Sequence, residues 1–314
     1  MSPLNWRHLA VLAILSAATG ANAQTVGYAA GYDTLYRVAL ESGAATAVGR
    51  FGSVGSGAGL VPIADVEGLA FAPGGELYAV SDARDLLIRV DTATGQATVV
   101  GSLGLRGQGG NQFNNLDFGL AFTCDGRLWL SSDVSRQLWR VDPATGATTL
   151  VGNIDQPISG LASWNGELYG VGVADRHNVY RIDAGTAQAT LVGRLGTTFT
   201  VYDAGADFDA QGRLWITLDS LAPPEGLPSV YQEDLVRVDI ANGATLDTRL
   251  ITGIGSGINI VQMEALAIAP PSCANGGGTA AANPVPAQSP WMLWLMALAL
   301  AGLGISSLRR VARA

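Results

Sequence analysis

Short apolar segments that end in an acidic residue and a Thr-Gly or Asn-Gly turn recur along the chain. The two clearest copies are Leu87–Asp91 and Leu138–Asp142, and weaker copies lie at Leu35–Val38, Val179–Asp183 and Leu235–Asp239. Runs of this length that alternate apolar and polar residues predict β-strands. The copies start roughly 40 to 55 residues apart, which is the period expected of propeller blades.

Each repeat contains four strand-like segments separated by turns. In the clearest unit the inner strand Gly68–Phe71 is followed by Glu76–Val80, Leu87–Val90 and Thr98–Leu103. The N-terminal unit lacks an inner strand, whereas Met263–Ile268 has the inner-strand pattern and no strands after it. The sequence therefore predicts an all-β fold, a five-bladed β-propeller whose first blade is closed by a C-terminal strand.

Residues that recur once per blade predict scaffold contacts. Aromatic residues occupy the same place in the second strand of four blades, which favours packing between blades over sugar binding. An arginine at one register and an aspartate after the second strand also recur, so we interpret them as scaffold and turn residues. The aromatic residues are Tyr78, Trp129, Tyr169 and Trp215, the arginines are Arg37, Arg89, Arg140, Arg181 and Arg237, and the aspartates are Asp82, Asp133, Asp175 and Asp219.

The two ends of the chain carry different signals from the repeat. Residues 1–23 have a basic start, a short apolar run and an Ala-x-Ala site, which predicts a secretory signal peptide, with an uncleaved anchor as the alternative. The propeller is expected at 24–272, followed by a Gly/Ala/Pro linker at 273–288. An apolar stretch at 289–308 predicts one transmembrane helix, and the Arg-rich tail at 309–314 is expected in the cytoplasm.

The charge of the chain narrows the choice of partners. No lysine is present, which excludes chemistry that needs a lysine nucleophile. All 26 acidic residues lie between the two terminal segments, together with 14 of the 18 arginines, so this part carries a net charge of −12. That charge disfavours nucleic-acid binding, which needs a basic surface, and is compatible with cations or cationic surfaces.

Cys124 and Cys273 are the only cysteines, and each follows a predicted inner strand on the same face of the ring. In an oxidising, exported setting they are candidates for one disulfide that ties the closing strand. Because their blades are not neighbours, two free thiols are the alternative. Their number and spacing do not indicate a metal site.

Long connections concentrate on one face of the predicted ring. They lie at 53–66, 105–116, 197–202, 220–234 and 254–262, whereas the turns of the opposite face are short and alike. Variable loops on a rigid scaffold are where binding sites are usually found. The face with these loops, including the mouth of the central channel, is therefore the candidate site, and loops without function are the alternative.

Acidic residues gather at that mouth, because several inner strands begin with a carboxylate or directly follow one. Carboxylates so close together repel each other unless they are protonated or bridged by a cation, and hard oxygen ligands suit Ca²⁺. Solvated acids on a rim are the alternative. The candidate metal ligands are Glu67, Asp117, Asp203 and Glu264, and further ligand-face candidates are Asn114, Asn115, His177 and Asp207.

The C-terminal segment resembles the IPTL-CTERM class of bacterial sorting signals, a relative of PEP-CTERM. The matching residues are Val285, Pro286, Ser289 and Trp291, before an apolar helix and an arginine tail, whereas residues 287, 288 and 290 depart from the usual motif. The resemblance implies an exported protein of a Gram-negative bacterium, cut from its anchor by a membrane transpeptidase-like sorting enzyme. Plain tethering is the alternative, with the domain on the inner membrane facing the periplasm rather than sorted to the cell surface.

The acidic mouth is similar to that of gluconolactonase and regucalcin propellers, and Glu67-Gly68-Leu69 resembles their early Glu-Gly motif. Those relatives have six blades, and their resemblance implies a Ca²⁺ ion among Glu, Asn and Asp residues. His177 is the only histidine outside the signal peptide, so the His pair of paraoxonase-like lactonases is absent.

Two functions remain open. The first is a non-enzymatic, exported module that binds an unknown extracellular ligand or has a structural role. The alternative is a Ca²⁺-dependent lactonase or esterase, in which the metal polarises a carbonyl group and a carboxylate acts as base.

Overall fold

A computed structural model describes residues 25–109, 115–174, 177–196, 200–222, 230–256 and 260–273. These residues form β-strands and one short 3₁₀ turn at Gly57–Gly59, and they contain no helix that could span a membrane. The predicted signal peptide, nearly all of the predicted linker, the predicted transmembrane helix with its sorting motif, and the tail lie outside the described residues.

Twenty strands form five four-stranded antiparallel sheets, which are the five blades that the repeat predicts. The inner strands contact one another around the ring axis, and each later strand pairs with the one before it. The first blade contains β1 (Val26–Gly31), β2 (Thr34–Ala39) and β3 (Ala45–Arg50). A hairpin of β4 (Ser53–Val54) and β5 (Val61–Pro62), too short to be a blade, leads to the second blade of β6 (Val66–Phe71), β7 (Leu77–Ser81), β8 (Leu86–Val90) and β9 (Ala97–Ser102).

The other three blades follow the same order. The third contains β10 (Phe118–Phe122), β11 (Leu128–Ser132), β12 (Gln137–Val141) and β13 (Thr148–Asn153). The fourth contains β14 (Ile158–Trp164), β15 (Glu167–Gly172), β16 (Asn178–Ile182) and β17 (Ala189–Arg194). The fifth contains β18 (Thr200–Phe208), β19 (Leu214–Ala222), β20 (Val230–Val238) and β21 (Thr245–Leu250).

The last strand, β22 (Ala265–Ala267), closes the ring. It pairs antiparallel with β1, so that Tyr28 lies opposite Ala267 and Ala30 opposite Ala265, and it contacts the inner strands β6 and β18. The predicted closure of the first blade by the C-terminal end is confirmed. The strand is shorter than the predicted Met263–Ile268, because only three residues form the ladder with β1.

Aromatic side chains of the second strands pack between blades, as predicted. Tyr78 and Tyr169 make edge-on contacts with Phe122 and Phe208 of the next blade, with ring centroids 5.2 Å apart in both pairs. Trp215 is fully buried. These rings therefore belong to the scaffold and are not available to bind a sugar.

The turn after the third strand is also a contact between blades. The Asp91 carboxylate closes the turn by accepting the backbone N–H groups of Ala93 and Thr94 at 2.8 and 3.1 Å. The turn packs against the outer strand of the preceding blade, where a Cβ on Gly49 would lie 2.1 Å from the Thr94 carbonyl oxygen. The same close approach joins Gly101 to Thr145 and Gly193 to Asn242, whereas a Cβ on Gly152 would lie 3.2 Å from the Thr186 carbonyl oxygen.

The fifth blade differs from the others because its first three strands are nine residues long. The ladder between β18 and β19 and the ladder between β19 and β20 continue towards the mouth of the ring, past the point where the strands of the other blades end. Parts of two predicted long connections are therefore strands. The prediction is wrong for residues 200–202, 220–222 and 230–234, where alternating residues continue the ladder.

Close packing of the inner strands blocks the central channel. Four of these strands carry a glycine at the same register, and the fifth carries Ala265. A Cβ on Gly119 would lie 2.2 Å from the Ser159 carbonyl oxygen, and one on Gly205 would lie 2.4 Å from the carbonyl carbon of Ala265. The cavity left among these strands measures about 10 Å³, roughly the space of one water molecule. The mouth is therefore a blind cup.

We call the side of the ring opposite the mouth, where the inner strands end, the closed face. After β22 the chain crosses this face, and the Ser272 carbonyl accepts a hydrogen bond from the Asn165 N–H of the fourth blade at 3.1 Å. The next residue, Cys273, is joined by a disulfide to Cys124 of the third blade, with a Cα–Cα distance of 5.6 Å. The crossing brings together two blades that are not neighbours in the ring, and it extends the folded chain one residue beyond the predicted boundary.

Candidate cation site at the mouth of the ring

The four predicted metal ligands lie where inner strands begin. Glu67 and Glu264 occupy the same register, directly before Gly68 and Ala265 of the closed channel. Glu67 is only 2% exposed, and its Oε2 accepts the backbone N–H of Phe118 from the neighbouring inner strand at 2.5 Å. Its carboxyl group is therefore held across the boundary between the second and third blades.

The two aspartates of the set lie one register position earlier. The Asp117 carboxyl group contacts that of Glu67 and accepts the side-chain amide of Asn115 at 2.6 Å. Asp203, in the extended part of β18, accepts the Ser159 hydroxyl and its neighbouring Ala204 N–H, the latter at 2.7 Å. The structure therefore places the four predicted ligands around one mouth.

Five further acids, which the sequence analysis did not assign to the site, line the same mouth. Three of them follow second strands and were interpreted as turn residues from their periodicity. That interpretation is incomplete, since the Asp82 carboxylate accepts the N–H groups of Leu116 and Asp117 in the next blade at 2.5 and 3.3 Å. We call the whole group the acidic cup: Asp65, Glu67, Asp82, Asp117, Asp133, Asp203, Asp219, Glu233 and Glu264.

The acidic cup contains many carboxyl groups, and the arginines near it, such as Arg84 near Asp65 and Arg136 near Asp133, form no ion pair with them in the described residues. Within the described residues, every ion pair involves an acid outside the cup. Burial, together with repulsion from Asp117, raises the pKa of Asp133 to about 8. Burial, and then repulsion from Asp65 and Asp117, raises the pKa of Glu264 to about 8. An empty cup therefore retains protons that a cation could replace.

Three acids of the cup converge closely enough to share one cation. One oxygen from each of Asp65, Glu67 and Asp82 lies within 4.8 Å of the other two. Oxygens that share a Ca²⁺ ion lie up to about 5 Å apart, because each Ca–O distance is about 2.3–2.6 Å. Asp65 and Asp117 also have left-handed backbones, with φ of 56° and 49°, a conformation that is uncommon outside glycine.

The other ligand-face candidates are not all at the cup. Asn115 contacts it through Asp117, whereas Asn114 lies outside the described residues. His177 lies beside the extension of the fifth blade, where its Nε2 accepts the Val201 N–H at 3.4 Å. Asp207 lies four residues beyond Asp203, towards the closed face, so its grouping with the mouth is corrected.

The carboxylate of Asp207 has a structural partner at that end of the strand. It accepts the backbone N–H of Ile268 at 2.6 Å, directly after the closing strand. Burial raises the pKa of Asp207 to about 7. In the other blades an alanine occupies this register. Asp207, which the sequence analysis suggested as a ligand, instead stabilises the ring closure.

A repeat of unknown function (DUF6923) matches the chain over residues 67–215. This stretch covers most of the second blade, the third and fourth blades, and the start of the fifth. The chain therefore contains a propeller-like repeat domain. No curated protein matches the sequence.

Several solved structures resemble the chain at low identity. A structural-genomics protein of unknown function from Bacteroides thetaiotaomicron is 18% identical, with 61% of this chain and 53% of that chain covered and a TM-score of 0.43. A protein of unknown function from Bacteroides caccae is 9% identical, with coverages of 78% and 98% and a TM-score of 0.48. A nidogen/laminin complex is 14% identical, with coverages of 77% and 97% and a TM-score of 0.47. The chain spans about half the length of the first of these structures.

Proposed function

We propose that this chain is an exported, membrane-tethered β-propeller that binds Ca²⁺ in the acidic cup and uses this site to hold an extracellular ligand. The observation that carries the proposal is the convergence of nine partly or fully buried carboxyl groups that form no ion pair in the described residues. Buried carboxylates are costly unless they are protonated, hydrogen-bonded or paired with a cation. Binding of a cation therefore stabilises the folded state.

The chemistry of the cup favours Ca²⁺ over transition metals. All nine side chains offer oxygen atoms, which are the ligands of Ca²⁺ and Mg²⁺, whereas sites for zinc usually include histidine or cysteine. Asp65, Glu67 and Asp82 form the closest group, with Asp117 beside Glu67. A group of several carboxylates suits the larger and more variable coordination of Ca²⁺ better than the strict octahedron of Mg²⁺.

The predicted membrane anchor is compatible with an accessible cup. Both ends of the described chain, near Val26 and at Cys273, lie on the closed face. A transmembrane helix at 289–308 would be connected to the propeller at the closed face, so the anchor would leave the mouth unobstructed. Cleavage at the predicted sorting motif, residues 285–291, would instead release the propeller to the cell surface with its cup free.

Thermal unfolding of the full chain in mild detergent tests the cation site. We expect millimolar Ca²⁺ to raise Tm by several degrees above the value in chelator, since ligand at about 100 times Kd adds roughly 2.7 kcal/mol of stability. Glu67→Gln should remove most of this response. Glu41→Gln, at a half-exposed glutamate of the closed face, is the matched control and should retain it.

A Tm that Ca²⁺ leaves unchanged, together with no heat of binding in calorimetry, would overturn the proposal. A panel of lactones and esters on the same protein separates binding from hydrolysis. We expect no turnover, and Ca²⁺-dependent hydrolysis that Glu67→Gln abolishes would replace the binding module by a hydrolase.

A further inference from the structure

Asp219 and Glu233 form a distinct part of the acidic cup on the fifth blade. They lie directly opposite each other on β19 and β20, so their side chains share one face of the sheet. Asp219 is 1% exposed and Glu233 is fully buried. Two carboxyl groups are therefore enclosed side by side.

The hydrogen bonds of this pair are incomplete. Asp219 Oδ2 accepts the side-chain N–H of Gln262. The two carboxyl groups contact each other and the Met263 N–H approaches Glu233, but Asp219 Oδ1 and both oxygens of Glu233 have no hydrogen bond of ordinary geometry. The carboxylate of Asp209 is equally buried but has a complete set of hydrogen bonds. Its two oxygens accept four N–H bonds at 2.6 to 3.0 Å, from the backbone of Gln211, the backbone and guanidinium of Arg213, and the indole of Trp215.

The buried pair favours a cation that donates hydrogen bonds. Burial raises the pKa of both groups, and repulsion from Asp219 raises that of Glu233 further, so a positive group beside the pair would be stabilising. In the described residues the three acids whose oxygens lie within 4.8 Å of one another are Asp65, Glu67 and Asp82, so the pair is separate from that triad. A primary ammonium group carries one positive charge and three N–H donors, so it can donate to both carboxyl groups at once.

Gln262 shows how such a group reaches the pair. Its side chain is exposed, yet its amide nitrogen extends inward to Asp219. The amide is an uncharged N–H donor that occupies one of the four carboxylate oxygens. We propose that Asp219 and Glu233 bind a primary alkylammonium group, which replaces the side-chain amide of Gln262.

Two exposed tyrosines supply a surface for the alkyl chain of such a ligand. Tyr231 precedes Glu233 by two residues on β20 and therefore lies on the same face of the sheet, one step nearer the solvent. Tyr231 and Tyr202 are 41% and 47% exposed, and their ring centroids are 6.2 Å apart. Aromatic faces attract cations and pack against methylene groups.

This inference rests on the proposed binding function and names a ligand class for it. The alkylammonium site and the Ca²⁺ site use different residues of the cup, so each can fail alone. The expected pattern is that Glu233→Gln loses the amine and keeps the response to Ca²⁺, whereas Glu67→Gln loses the response to Ca²⁺ and keeps the amine.

Calorimetric titration of the full chain with n-butylammonium chloride tests the proposal directly. We expect saturable binding that weakens at least tenfold in Glu233→Gln and in Asp219→Asn. Tetramethylammonium has the same charge but no N–H donor, so it should not compete. Absence of saturable binding, or equal binding of tetramethylammonium, would overturn the proposal. Cadaverine and the blocked peptide N-acetyl-Gly-Lys-Gly-amide, whose only ammonium group is that of lysine, then distinguish a free diamine from a lysine side chain of a partner protein as the source of the ammonium.

A variant of Gln262 tests the same site from within the chain. Lysine is one bond longer than glutamine, so Gln262→Lys brings an ammonium group to the pair. We expect its Tm to rise by several degrees, the rise to disappear when Glu233→Gln is added, and butylammonium to have no further effect. Gln262→Met, which has similar length and no charge, is the control. A Tm of Gln262→Lys equal to or below that of Gln262→Met would contradict the proposal.

Discussion

Aspartates recur around both faces of the ring, but their surroundings differ. On the closed face, Asp142 and Asp183 are exposed turn residues, and backbone N–H groups hold their pKa below the ordinary value. In the acidic cup, burial raises the pKa of Asp133 to about 8 and that of Asp203 well above its ordinary range. The same residue type, repeated once per blade, is thus stabilised as an anion on one face and disfavoured as an anion on the other.

The balance between N–H donors and burial explains this difference. Each turn of the closed face leaves backbone N–H groups unpaired, and the aspartate that begins the turn accepts them, as Asp183 does from Gly185 and Thr186. At the mouth, backbone N–H groups also reach Asp82 and Asp133, but burial and repulsion from neighbouring carboxyl groups outweigh them. A recurring acid is therefore scaffold where N–H groups stabilise its anion and a candidate ligand where burial and neighbouring acids outweigh them.

Removal of the disulfide should lower the free energy of unfolding more than any other change. The disulfide lies on the closed face, away from the cup. Cys124 and Cys273 are 149 residues apart in the chain, and the loop-entropy relation assigns a crosslink of that span about 5 kcal/mol. We expect the double substitution Cys124→Ser and Cys273→Ser to lower the free energy of unfolding in urea by about this amount. The response to Ca²⁺ of the protein that remains folded should persist.

A loss below about 1 kcal/mol would contradict this prediction, because the strand β22 would then hold the ring without the crosslink. Loss of the response to Ca²⁺ in the folded variant would show that the two faces are coupled. Either result would remove the separation between scaffold and cup on which the comparison depends.

A change of pH should have the next largest effect on stability, and this effect should come from the carboxyl groups of the cup. A carboxyl group with a pKa near 8 in the folded state and about 4 when unfolded binds more protons when folded, so stability falls as pH rises between these values. We expect the Tm of the calcium-free protein to fall by several degrees from about pH 5 to about pH 8. Asp133→Asn should make this fall smaller.

Calcium should cancel much of the same fall, since it binds the deprotonated cup most strongly at the higher pH. Circular dichroism melts at several pH values, with chelator and with Ca²⁺, measure both effects. A Tm that rises from about pH 5 to about pH 8 without Ca²⁺ would show that the cup acids are not held protonated.

The sequence predicts the ring well because its evidence is periodic. The repeated turn, the aromatic residues of the second strands and the lone inner-strand pattern at the C-terminal end each correspond to a contact that the structure contains. The ring closure follows from the same logic, since the N-terminal unit lacks the one strand that Ala265–Ala267 provides.

The cup is only partly predictable, for the same reason. Glu67 and Glu264 stand out because they break the pattern of the inner strands, whereas Asp82, Asp133 and Asp219 obey the repeat and resemble turn residues. Asp207 also breaks the pattern, but a backbone N–H group at the end of the closing strand satisfies it. Sequence shows which residues are exceptional, and only the three-dimensional arrangement shows which of them are buried beside other carboxyl groups.

The smallest expected change in Tm comes from a single turn of the closed face. Its contribution to stability rises with pH, opposite to that of the cup. The pKa of Asp142 is lowered, first by the N–H of Ala144 and then by the Thr145 hydroxyl, so its contribution is present above about pH 4 and is lost as pH falls through the folded value. Asp142→Ala should lower Tm slightly at neutral pH, and its melting curve should converge with that of the parent protein in strong acid.

Asp133→Asn should instead differ from the parent most at alkaline pH, because the buried carboxyl group of Asp133 is ionised and destabilising there. If both substitutions gave the same dependence on pH, one repeated aspartate would have the same environment on both faces, and the distinction between scaffold and cup would not hold.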